Sequence, residues 1–129
     1  MHDTDVASGS IKQNLPPSLV AKIAPHEAAI TFVTVGELTR WVFARDLGAR
    51  RRSQIEHVIA VTPKIPGGVD VARKWGEVVA YADKHGRPIP VNDSWIAACC
   101  LAYDLPLAAL NVADYEHLAE HEGLRLITT

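Results

Sequence analysis

With 129 residues, 48% of them hydrophobic, the chain is long enough for one core and reads as a single domain over residues 1–129. A net charge of −2 with 22% charged residues excludes a globally basic nucleic-acid binder, so any such contact must come from a local patch. No apolar run approaches the ~20 residues of a membrane span and no signal peptide opens the chain. The two cysteines, adjacent at Cys99 and Cys100, cannot pair with each other. A cytoplasmic protein with reduced thiols is the expectation.

In chain order, "MHDTDV" offers only the stub of a first strand. "ITFV" (30–33) reads as a buried strand, followed by a helix through "TVGELTRWVFARDLG" capped by Thr34 and stopped at Gly48. "HVIAV" (57–61) is a β-branched run and reads as a second strand, and the loop "TPKIPGG" (62–68) separates it from a helix over 69–85 closed by Gly86. From Ser94 to Ala102 the residues are small or apolar almost all round, the pattern of a buried helix, with Asp93 at its mouth. "LPLAAL" (105–110) and "LRLIT" (124–128) are short strands. This alternation predicts an α/β domain with a mainly parallel central sheet flanked by helices.

In such a sheet the C-terminal end of each strand meets the start of the next helix, and ligand sites gather along that edge. Asp3 and Asp5 follow the first stub, Glu37 follows "ITFV", Asp93 opens its helix, and Asn111 and Asp114 follow "LPLAAL". Singly, each has a capping explanation: Thr34-Val-Gly-Glu37 spells a capping box, Asn111-Val-Ala-Asp114 resembles one, and Asp is a favoured cap. Jointly, capping does not explain why nearly every sheet–helix junction carries an acid. Crowded carboxylates repel, and a hard oxygen-liganded cation, Mg²⁺ or Mn²⁺, would relieve that repulsion.

The stretches "DTDVAS", "TFVTVGEL", "HGRPIPVNDSWIAACCLAYDLPLAALNVADYEHL" and "GLRLI" together resemble the PIN-domain ribonucleases of the VapC toxin type. The resemblance implies a PIN-like three-layer α/β sandwich, Mg²⁺- or Mn²⁺-dependent endonucleolytic cleavage of RNA, a cognate antitoxin and a homodimer. It implies Asp3, Glu37 and Asp93 as the first three acids. Asn111 occupies the slot of the fourth, with Asp114 three residues on. The expected catalytic set is therefore Asp3, Glu37, Asp93 and Asp114, and the expected metal set Asp3, Asp93, Glu37 and Asn111. Ala109 and Leu110 depart from the hydroxyl and arginine that the family commonly carries there.

Positive charge for RNA is available at Arg45 and in the run Arg50-Arg51-Arg52, against the alternative of a solvated face. His117-Leu-Ala-Glu120-His121 spells an H-x-x-E-H zinc pattern, but a catalytic zinc needs a third protein ligand, and a surface histidine pair on a short helix is the better reading. Trp41, Trp75 and Trp95 fall on helices as core or subunit-interface residues. Two rivals to a toxin ribonuclease remain at this level. One is a degenerate PIN domain that binds RNA or a protein partner without cleavage, and the other a metal-dependent phosphatase or DNA nuclease.

Overall fold

A computed structural model describes residues 1–129. Its elements run α1 (Thr4–Lys12), α2 (Pro17–Ile23), β1 (Ile30–Thr31), α3 (Phe32–Ala44), α4 (Ala49–Val61), β2 (Lys64–Ile65), α5 (Val69–Lys84), α6 (Val91–Ala102), β3 (Leu107–Ala108), a 3₁₀ turn (Val112–Asp114), α7 (Glu116–His121) and β4 (Leu126–Ile127). The strands are short and form two parallel pairs, β1 with β2 and β3 with β4.

The first three residues join these pairs. The His2 amide donates to the Ala29 carbonyl (2.8 Å), while on the other side Ala108 accepts from Asp3 N–H (3.1 Å) and donates its own N–H to Met1 O (2.8 Å). His2 and Ala108 pair in parallel. The stub thus runs between the two pairs as a short middle strand, bridged to Ala108 on one side and tied by a single hydrogen bond to Ala29, just before β1, on the other. Four of the expected features shift. "HVIAV" is not a strand: it is the last part of α4, where Ile55 packs with Leu38 and Val42, and Val58 and Ile59 pack against that cluster at helical spacing. "ITFV" yields only Ile30–Thr31 as strand, since the helix begins at Phe32 with Thr31 as its cap, its hydroxyl accepting from Thr34 N–H (3.3 Å). Asp93 is not a cap but lies inside the first turn of α6, which Pro90 precedes. Helices α1, α2 and α4 lie where no helix was expected.

The main core gathers Met1, Val78, Ile96, Ala97, Cys100, Leu107, Tyr115 and Leu118 beneath the strands. It seats α6 against the middle strand, and burial pushes the Cys99 and Cys100 thiols up to about 11 and about 12, inert for nucleophilic work. Trp75 stacks on Trp95 (centroids 4.5 Å) and donates from Nε1 to Ser94 Oγ (2.9 Å), which locks α5 to α6. His117 is buried with both ring nitrogens unpartnered, beneath the rings of Tyr81 and His121, while His121 is exposed. Burial, then the neighbouring His121, Arg87 and His85, hold His117 below the usual histidine range. No three His, Cys, Asp or Glu side chains converge there as a metal site. No helix is long and apolar enough to cross a membrane.

Candidate active site

Three segments bring acids to one edge of the strands. Asp3 ends the middle strand and caps α1, its Oδ1 accepting from Val6 N–H (2.9 Å). Glu37 stands one turn into α3, directly after β1. Asp93 stands in the first turn of α6, and a pocket of about 410 Å³ is lined by Asp3, Thr4, Asp5, Glu37 and Asp93 with Pro90–Asn92. Asp3 and Asp93 sit at the cap and in the first turn of their helices, where the aligned peptide dipoles favour negative charge, whereas Glu37 lies beyond the first turn of α3.

The local chemistry separates these acids from ordinary caps. Because Thr31 caps α3, Glu37 is released from the capping role its spacing suggested. Its Oε1 accepts instead from Thr4 Oγ1 (2.6 Å), and Thr4 also meets Thr34 Oγ1 (3.0 Å). Thr4 therefore fixes the carboxylate of α3 from the start of α1. Asp3 is 4% exposed. Burial, with smaller contributions from Asp5, Asp93 and Glu37, pushes its carboxyl up to about 7 against the opposing Val6 hydrogen bond. Asp93 is pushed up to about 6, first by burial and then by Asp114 and Glu37, with Tyr115 acting the other way. The Tyr115 hydroxyl is close enough to influence Asp93 yet is buried with no hydrogen-bond partner in good geometry.

Asp114 approaches Asp93 from the 3₁₀ turn after β3. Asn111 is exposed, and its Nδ2 donates to Asp114 Oδ2 (3.0 Å). The pair is thus a side-chain contact rather than a capping box. Asn111 orients Asp114, and neither of the two lines the carboxylate pocket. Arg45 and Arg50–Arg52 stand away from the carboxylates, Arg45 at the end of α3 and the others at the start of α4. Thr4, Thr34 and Tyr115 belong to the site although their letters carried no signal of it. Only the adjacency of Thr4 to Asp3 in "DTD" could have pointed to one of them.

Chemically, this is a concave, acid-rich centre with two carboxyl groups that keep their protons to unusually high pH, Asp93 to about 6 and Asp3 to about 7. Such an arrangement favours a cation or a proton over an anion unless a metal intervenes.

No family model matches the chain. Over 88 residues it is 34% identical to Ribonuclease VapC5 of Mycobacterium tuberculosis, a match covering 66% of this chain and 64% of that protein. The chain thus spans less than two thirds of that relative's length. Among solved structures, a member of the VapBC family of toxin-antitoxin systems, VapBC-5 from Mycobacterium tuberculosis, is 30% identical with a TM-score of 0.70, covering 78% of this chain and 81% of that one. VapBC-1 from nontypeable Haemophilus influenzae is 22% identical with a TM-score of 0.82 over 98% of this chain and 94% of that one, a likeness of fold.

Proposed function

Since this chain belongs to the VapC family of PIN-domain toxins, we propose that it is the toxin of a two-component toxin–antitoxin system and cleaves RNA at the Asp3–Glu37–Asp93 centre with a divalent metal, Mg²⁺ or Mn²⁺. The single observation that carries the reading is the convergence of Asp3, Glu37 and Asp93 on one pocket from three separate elements. The strand set is taken as the middle layer of the family's three-layer sandwich.

The donors fit a hard cation. All are oxygens, and burial with mutual repulsion holds Asp3 and Asp93 protonated to unusually high pH, a cost that a positive ion removes. No three of these side chains converge at ligand distance. Mg²⁺ does not demand it, because it is commonly held by one or two carboxylates with waters and substrate phosphate completing the octahedron. Asp3 and Asp93 would hold the ion, with Glu37 joining directly or through water, and when bound the metal supplies charge neutralisation at the phosphoryl oxygens and an activated water. Thr4 keeps Glu37 aimed into the pocket. Tyr115 offers its unpaired proton beside Asp93. Asn111 keeps Asp114 turned toward Asp93.

Partners follow the same reading. An antitoxin would cover the acidic pocket with a basic side chain, since an arginine fork matches paired carboxylates better than lysine does. A homodimer would cover exposed apolar side chains such as Phe43, Val69 and Val91.

The test is cleavage of single-stranded RNA, DNA and a small phosphomonoester in parallel, with and without excess chelator. RNA cleavage that requires Mg²⁺ or Mn²⁺ is the expected result. RNA binding with no cleavage under any metal would make this a binding domain, and preferential turnover of DNA or the monoester would move it to another hydrolase class.

Asp114 provides a graded check. Asp114→Ala should weaken metal-dependent cleavage by roughly the 10–100-fold of a lost outer ligand, most visibly at limiting metal. Asn111→Ala should cost less, because it removes only the orienting amide, and Asn111→Asp should preserve or raise activity. Titration of rate against Mg²⁺ for the three variants reads this out. An Asp114→Ala curve that overlays wild type would make Asp114 a helix-end acid only.

A further inference from the structure

The carboxylate pocket does not end at Glu37. A second pocket of about 330 Å³ shares Thr4, Asp5 and Glu37 with it and continues between α1 and α3 past Ser8, Lys12, Arg40, Trp41 and Arg45. A third, of about 420 Å³, picks up at Ile11 and Lys12 and reaches Arg50, Arg51 and Gln54 at the start of α4. The three adjoin in series, the first two sharing Thr4, Asp5 and Glu37 and the last two sharing Lys12, and the charge changes sign along this groove: past Asp5 and Glu37 its lining holds five cations and no acid.

Four of those five cations, Lys12, Arg40, Arg45 and Arg50, make no ion pair or side-chain hydrogen bond within the fold. The protein's ion pairs lie elsewhere, at Lys74–Glu77, His121–Glu120 and Arg125–Asp104. Lys12 is exposed, with its ammonium 4.9 Å over the Trp41 ring, so the indole holds it at the groove wall. Arg51 is the exception, since its Nη1 donates to the Ile11 carbonyl (3.2 Å) and ties α4 to the end of α1. Arg50 to Arg52 also crowd the first turn of α4, which has no acid and no side-chain cap. Cations there face the positive end of the helix dipole, an arrangement that costs stability in isolation and is relieved by a bound anion. In a chain of net charge −2, this segregation is local and specific.

We propose that this groove is the track of the RNA strand on one side of the scissile phosphate, with Lys12, Arg40, Arg45 and Arg50 as phosphate-contacting, substrate-positioning residues. The inference rests on the ribonuclease reading and adds to it where the strand leaves the site. A polyphosphate fits better than an acidic peptide, because the groove opens directly from a centre that would act on phosphodiesters, and a continuous strand spans both. Along α1, Asp5 to Lys12 covers about 10 Å at 1.5 Å per residue. That stretch alone takes roughly two or three nucleotides beyond the cut, judged from phosphate spacing along a strand, before the groove reaches Arg50. Backbone contacts of this kind set affinity and register and leave base choice to other groups.

The experiment uses the full chain carrying Asp93→Asn, so that RNA is bound and not consumed, with a fluorescent single-stranded 12-nucleotide RNA read by anisotropy in Mg²⁺ at several salt concentrations. Arg40→Glu with Arg45→Glu, and separately Lys12→Glu, should each raise Kd at least about tenfold at low salt. Each lost phosphate contact should flatten the dependence of log Kd on log salt by roughly 0.7. Arg73→Glu, an exposed charge reversal on α5 outside the groove, should do neither. All these positions are exposed, and circular dichroism checks that the variants fold. Groove variants that bind like Arg73→Glu overturn the proposal, as does poly-glutamate competing as well as RNA of equal charge. Absence of metal-dependent cleavage by the unmodified chain would instead sink the ribonuclease reading, so the two failures are separable.

Discussion

Asp93→Asn should lower metal-dependent RNA cleavage by roughly a hundred- to a thousandfold or more, the scale of losing one charge-stabilising group from a reacting centre. The substitution is nearly isosteric and removes an acid that feels the charges of Glu37 on one side and Asp114 on the other. Loss of a first-turn acid forfeits about 0.3–1 kcal/mol of helix-dipole interaction. Relief of the buried charge offsets it, so thermal melting without metal should stay level or rise. The pH profile carries further information. Asp93 and Asp3 ionise near 6 and 7 in the metal-free protein, so kcat/KM should climb through that range as the carboxylates become available. Rising Mg²⁺ should move the climb to lower pH, because the ion competes with the protons. Unchanged cleavage in Asp93→Asn, or in excess chelator, would refute the mechanism.

Asp3→Asn should abolish cleavage yet stabilise the metal-free fold at pH 7.5, on the order of 2 kcal/mol. The folded carboxyl titrates near 7, against an ordinary value of 3.8. Between those values the folded chain keeps a proton that the unfolded chain has released, so stability falls as pH rises from about 4 to 7 and stays low above it. Asn has no proton to lose, and its oxygen still accepts from Val6 N–H, so α1 keeps its cap. Denaturant melts at pH 5 and 7.5 provide the measurement. The wild type should lose stability between them, and Asp3→Asn should lose less. Saturating Mg²⁺ should restore the wild type selectively. A variant less stable than wild type at pH 7.5 would mean that the carboxylate is needed by the fold itself.

How far the sequence carried this depended on the range of the forces involved. The acids at the strand ends were legible because a parallel α/β chain delivers its βα junctions to one edge, a rule that needs only element order. Glu37 was ambiguous by its letters. The ambiguity ends with Thr31, whose hydroxyl takes the capping role and leaves Glu37 to Thr4, a residue 33 positions away. "HVIAV" misled because a short β-branched run fits strand and buried helix equally well, and only packing against Leu38 and Val42 decides. The first strand was barely legible for a similar reason. Nothing in three residues is strand-like until Ala29 and Ala108 pair with them. The cationic groove was half visible: Arg45 and Arg50–Arg52 are local runs, while Lys12 and Arg40 join them only through the contact of α1 with α3.

The middle strand also has a consequence for timing during synthesis. Residues 1–3 emerge from the ribosome ahead of both of their partners, and the Ala108 side of the pairing lies more than a hundred residues later. At about 5–20 residues per second, that wait is on the order of 10 s. Until β3 clears the exit tunnel, Asp3 has no fixed position and the three acids share no pocket, whereas the helical hairpin α3–α4 can form from local contacts. Assembly of the carboxylate pocket is therefore a late event in translation, and each new copy passes through a window in which the α3–α4 hairpin stands before the pocket exists.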